Sequence, residues 1–103
     1  MKSIEKGNLI FVQLFPGEEI KEKMSETCVK HNIKTAVIVS GIGQIKNAKV
    51  GYFKKKGYYS TTNFEKPMEI ISLTGNIIKQ KKDFISHLHI CLADENKNGL
   101  KSA

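Results

Sequence analysis

The 103-residue sequence contains no arginine and no tryptophan, only two prolines and only two cysteines. Each shortage excludes something. Without arginine there is no planar guanidinium fork, so bidentate reading of guanine by a guanidinium is ruled out. Cys28 and Cys91 are too few for the disulfide framework of a small secreted domain. No apolar run approaches the roughly 20 residues that span a bilayer. Met1 to Gly7 is charged and lacks the apolar stretch of a secretory signal. Together these absences lead to the expectation of a cytoplasmic protein with reduced thiols, away from membranes. The length suits one domain over residues 1–103 and leaves no room for a second independent core.

What the chain does carry is lysine. Seventeen basic residues, all lysine, face ten acidic ones, for a net charge of +7. An excess of this size favours polyanions through phosphate neutralisation. Lysine supplies point charges, which hold a phosphate backbone better than they read a base. Binding to DNA by such a surface is expected to be salt-sensitive and weakly specific. A lysine-rich surface also serves plain solubility, so charge alone does not choose between the two.

The hydrophobic pattern outlines an α+β domain. Leu9 to Phe15 is a short apolar run closed by Pro16-Gly17, the mark of a strand and a turn. Ile20, Met24 and Cys28 then recur at four-residue spacing, one face of a three-turn helix. Glu18 and Glu19 at its start and Lys30-His31 at its end suit the helix dipole, and Asn32 is a stop signal. Thr35 to Ser40 is β-branched and nearly continuously apolar, as in a strand buried on both faces. Ala48–Phe53, Tyr58–Phe64, Met68–Ile78 and Phe84–Ala93 read as further strands joined by short polar turns. Turns that short exclude parallel crossovers. The expectation is an antiparallel β-sheet of about six strands with one main helix packed on it.

Three constellations could carry chemistry. Gly41-Ile42-Gly43 follows a strand, but position 46 is Lys46 and no helix pattern follows, so it is a glycine corner and not a dinucleotide loop. In His87-Leu88-His89-Ile90-Cys91-Leu92, alternation puts His87 and His89 on one face. Strand residues two apart are roughly 6.6 Å apart, so two imidazoles can converge on a divalent transition metal such as zinc. A third ligand would have to come from His31, Asp94, Glu69 or water; otherwise the two are ordinary sheet histidines. The third feature is lysine at hairpin tips: Lys54, Lys55 and Lys56 among Tyr52, Phe53, Tyr58 and Tyr59, and Lys79, Lys81 and Lys82. Basic residues beside aromatics can hold phosphates and stack bases, or simply form a solvated tip. No nucleophile elbow, phosphate-binding loop or nucleophile–base pair is visible, which leads to the expectation of a non-catalytic protein.

Four ordered motifs carry a family resemblance. They are Leu14-Phe15-Pro16-Gly17-Glu18-Glu19, Val39 to Ala48 leading into Gly51-Tyr52-Phe53, Met68 to Ile77, and His87-Leu88-His89-Ile90 with Leu92-Ala93-Asp94. The succession resembles the PPC domain, the plants-and-prokaryotes-conserved domain of candidate DNA-binding proteins. The resemblance implies an α+β fold with a large antiparallel sheet and a homotrimer. In plant members the domain accompanies an arginine-centred AT-hook, for which this arginine-free chain has no counterpart. The family's acidic turn leads to a Gly-Gly-His-Leu segment; here Asp94-Glu95-Asn96-Lys97-Asn98 leads to Gly99-Leu100-Lys101-Ser102-Ala103. The resemblance thus implies a domain lacking the family's C-terminal segment, with its third histidine and at least one strand.

Overall fold

The computed structural model describes residues 1–55, 58–94 and 99–102, with 48–55, 58–62, 64 and 99–102 described by their backbone alone. Among the described residues the order is β1 (Lys2–Lys6), β2 (Leu9–Gln13), α1 (Ile20–Lys30), β3 (Thr35–Ile38), β4 (Gly43–Ile45), β5 (Ala48–Lys55), β6 (Tyr58–Phe64), β7 (Met68–Gln80), β8 (Asp83–Ala93) and β9 (Gly99–Ser102). The α+β character holds, and the pairings of β1 with β2, β4 with β7, β5 with β6 and β8 with β9 are antiparallel. The expected single sheet of about six strands does not. The strands form two ribbons, β1-β2 and β5-β6, and a five-stranded sheet in which β3-β7-β8-β9 are neighbours and β4 adds to β7. The three strands beyond the expected six, β1, β4 and β9, are short and carry charge or glycine where apolar alternation would announce a strand.

The chain divides into two compact units, Met1–Ala36 with Ile77–Ser86 and Val37–Asn76 with His87–Ala103. The first holds the β1-β2 ribbon, α1 and the turn end of the β7–β8 hairpin. Its helix begins at Glu19, whose side chain accepts the Glu22 N–H at 2.6 Å. It ends through Asn32, at φ 55°: the Asn32 N–H reaches the Val29 carbonyl at 3.2 Å and the Ile33 N–H reaches that of Cys28 at 2.8 Å. That is a Schellman closure, with asparagine in the left-handed residue's place. Thr27 and Cys28 are buried, while Ile20 and Met24 are half-buried. Glu18 accepts from the Phe15 N–H at 2.7 Å and from the Met1 ammonium at 3.0 Å. Those two contacts, the ammonium first, hold its carboxyl below the usual value.

The second unit buries Met68, Ile70, Leu73, Leu92 and Ala93. Along β7 the buried positions are Met68 and Ile70, then Leu73 and Ile77, so the alternation slips by one residue at Ile71-Ser72. Gly75 lets the hairpin strands close: a Cβ there would overlap the His87 carbonyl oxygen and lie 2.9 Å from Leu88 Cα. The expectation that Thr35 to Ser40 is buried on both faces is wrong. Strand β3 alternates exposed and half-buried, and Val37 and Val39 are 68% and 75% exposed.

Candidate functional site

In the first unit β7 and β8 are joined by the two residues Lys81-Lys82, with Lys81 in the left-handed region at φ 57°. Lys79, Lys81 and Lys82 are all exposed. The Lys79 N–H donates to the Lys34 carbonyl at 2.7 Å, which brings exposed Lys34 alongside. Lys82 and Lys30 line one groove between α1 and the hairpin turn, with Val29 and Phe84. Lys34, Lys79, Lys81 and Lys82 make no ion pair among the described residues, whereas Lys23 pairs with Glu26 at 2.8 Å and with Glu18 at 3.6 Å. Four exposed lysines outside the observed ion pairs therefore belong to one hairpin end, with Glu22, Glu26 and Asp83 in the adjoining groove. Lys34 and Lys30 were not candidates from sequence, because only the backbone bond and the groove show them near the hairpin turn. Lys54 and Lys55 end β5 in the second unit, and their side chains, with Lys56 altogether, lie outside the described residues.

The alternation read for β8 is observed. His87 and His89 are exposed, Leu88 and Ile90 half-buried and Leu92 buried. The two imidazoles stack with centroids 5.5 Å apart and planes 25° apart. That is closer than the roughly 6.6 Å between alternate strand residues, so the rings lean together. The pair does not complete a metal centre. No group of three or more His, Cys, Asp or Glu side chains able to hold an ion occurs among the described residues. His31, a possible third ligand, bonds instead to Ser3 at 2.8 Å and Glu5 at 3.2 Å. Glu69 is exposed on β7 opposite Gln44. Two imidazoles are half of a tetrahedral zinc shell.

Comparison with known proteins adds the following. The family model described as the Plants and Prokaryotes Conserved (PCC) domain matches residues 1–101. The fold is similar to that of a plant- and prokaryote-conserved (PPC) protein from Pyrococcus horikoshii, with a TM-score of 0.79 and 33% identity over 86% of this chain and 62% of that one. It is similar to a putative DNA-binding protein from Bacteroides thetaiotaomicron, with a TM-score of 0.89 and 28% identity over 98% of this chain and 71% of that one. A third similar structure is a metal-containing protein from Archaeoglobus fulgidus, with a TM-score of 0.74 and 27% identity over 87% of this chain and 65% of that one. The chain thus spans less than two thirds of the Pyrococcus and Archaeoglobus proteins. No curated protein matches the sequence.

Proposed function

We infer the function from one premise: the chain belongs to the Plants and Prokaryotes Conserved (PCC) domain family. The reading is a DNA-binding protein that holds phosphates through lysine and does not read bases. The observation that carries it is the hairpin end where Lys34, Lys79, Lys81 and Lys82 stand exposed without carboxylate partners. The name of the Bacteroides relative, with its 28% identity, supports the same partner. Lys54, Lys55 and Lys56 belong to this reading as further phosphate contacts. So does a homotrimer, in which one basic end per copy would engage the polyanion together. The second unit has an uncharged set of exposed side chains suited to subunit contact: Val37, Val39, Ile71, Thr74 and Asn76. Charge-free contact matters when every copy carries +7. The reading needs no chemistry on the bound strand.

Titration of a labelled random duplex against salt tests it. The four contacts of the first unit alone give a slope of log K against log salt of about −3 to −4 per chain, and Lys54, Lys55 and Lys56 steepen it. Lys81→Glu with Lys82→Glu should make it shallower by about two, with melting unchanged. A slope near zero, or one that the double variant leaves alone, would overturn the reading.

A second reading, a metal- or small-ligand-binding module, rests on the ring pair of His87 and His89. It requires the missing ligands to come from water, from residues outside the described ones or from another copy. Metal analysis of untagged protein after zinc supplementation decides it. Less than about a tenth of an equivalent per chain would sink it, as two imidazoles alone hold zinc weakly.

A further inference from the structure

At the C-terminal end of α1, three side chains separated in sequence come together in the first unit. His31 caps the helix. Its Nε2 lies 2.8 Å from Ser3 Oγ, and its Nδ1 lies 3.2 Å from Glu5 Oε1. Ser3 and Glu5 are alternate residues of β1 and share one side of the ribbon. The His31 side chain is 11% exposed, so its ring is held on both sides and largely withdrawn from water. A carboxylate only accepts, so Glu5 assigns the ring proton to Nδ1. The Nε2 lone pair is then left facing the Ser3 hydroxyl. Serine on Nε2 and a carboxylate on Nδ1 is the order that acyl-transfer chemistry requires. A mere clasp between ribbon and helix has no need of that order.

Two further observations bear on reactivity. Lys30 Nζ donates to the same Ser3 Oγ at 3.0 Å, a positive charge that favours the alkoxide form of this oxygen. Lys30 also lines the groove of about 650 Å³ shared by Val29, Lys82 and Phe84. Lys30 thus links the reactive oxygen to a groove with Val29 and Phe84 on its walls and Glu22, Glu26 and Asp83 beside its two lysines.

We propose that Ser3 is a nucleophile for acyl transfer, with His31 as its general base and Glu5 as the positioning carboxylate. The substrate class is a small acyl ester without an anionic group, its carbon chain on Val29 and Phe84, since Glu22, Glu26 and Asp83 in the same groove repel an anion. Ser3 Oγ forms a bond to the acyl carbon as Nε2 takes the hydroxyl proton. The ester C–O bond then breaks, and Nε2 gives that proton to the departing alkoxide. Water attacks the acyl-serine, losing a proton to Nε2. The carboxylic acid leaves and the proton returns to Ser3 Oγ. Atoms balance with water as the sole co-reactant.

Phosphonylation of the full chain by a fluorophosphonate tests this, with sites and rates read by tandem mass spectrometry. The Oγ–P bond forms and fluoride leaves. The expected result is one adduct per chain, on Ser3, formed at least tenfold faster than on the exposed Ser40 and Ser72. His31→Gln should slow the Ser3 adduct at least tenfold. Glu5→Gln, at a half-exposed site where folding is safe, should slow it and alter its pH profile. Labelling of Ser3 at the rate of Ser40, or a rate that both variants leave unchanged, overturns the proposal.

Discussion

Gly75→Ala is the substitution whose cost the structure states most directly. A methyl there would overlap the His87 carbonyl oxygen and stand 2.9 Å from Leu88 Cα and 3.0 Å from the His87 carbonyl carbon. Comfortable carbon contacts begin near ~3.5 Å. Every one of those obstructing atoms is backbone, so no side chain can swing aside. The hairpin strands must part, and ladder hydrogen bonds must stretch. Overpacking plus one weakened bond costs about 3 kcal/mol. For a domain of this size each kcal/mol moves the melting temperature by roughly 4–8 °C, so a drop of about 12–24 °C is expected. Circular dichroism melts of the two proteins at one concentration measure it. Gly7→Ala is the comparison: nothing lies within 4 Å of a Cβ there, and only the left-handed φ of 59° resists. That strain is worth about 1–2 kcal/mol. Gly75→Ala melting within 3 °C of the parent, or above Gly7→Ala, would refute the steric argument. The roughly 3 °C allowance is below the shift of roughly 4–8 °C expected from 1 kcal/mol.

Two other outcomes follow from local electrostatics. Glu18, lowered by the Met1 ammonium and the Phe15 N–H, contributes stability that is present above its unfolded value and lost as pH falls through its folded one. Glu18→Gln should therefore flatten the acid limb of urea stability below about pH 5, and an unchanged limb would contradict the pairing. Burial pushes the Cys28 thiol up, and the residue is 4% exposed, whereas Cys91 is half-buried. Iodoacetamide under native conditions should modify Cys91 well before Cys28, read by peptide mapping; the reverse order would overturn that burial.

The sequence disclosed most of what depends on local pattern. The helix from Ile20 to Lys30 showed its apolar spacing, acidic start and asparagine stop, and each has a structural counterpart. Six strands were legible as apolar or β-branched runs. Lys2–Lys6 was not, since its charged residues hide a strand whose register comes wholly from pairing with Leu9–Gln13. The exposure of Val37 and Val39 was also hidden, because a continuous apolar run does not tell whether a second layer covers it. The His87–His89 face was readable because period-two alternation is a local rule. The hairpin-end lysines Lys79, Lys81 and Lys82 were readable because a short polar stretch between two apolar runs marks a hairpin tip. Lys34 was not: its place depends on one backbone bond across 45 positions, to Lys79. The Ser3–His31–Glu5 set was equally out of reach, as its members are 26 and 28 residues apart.

Amine footprinting with and without duplex DNA tests the lysine assignment most directly. Brief acylation followed by peptide mass spectrometry reads each ammonium separately. Lys34, Lys79, Lys81 and Lys82 should lose reactivity several-fold on DNA at low salt and regain it at high salt. Lys2, Lys6 and Lys21, exposed elsewhere in the same unit, should change little. Protection spread evenly over all of these lysines, or confined to Lys2, Lys6 and Lys21, would contradict the account.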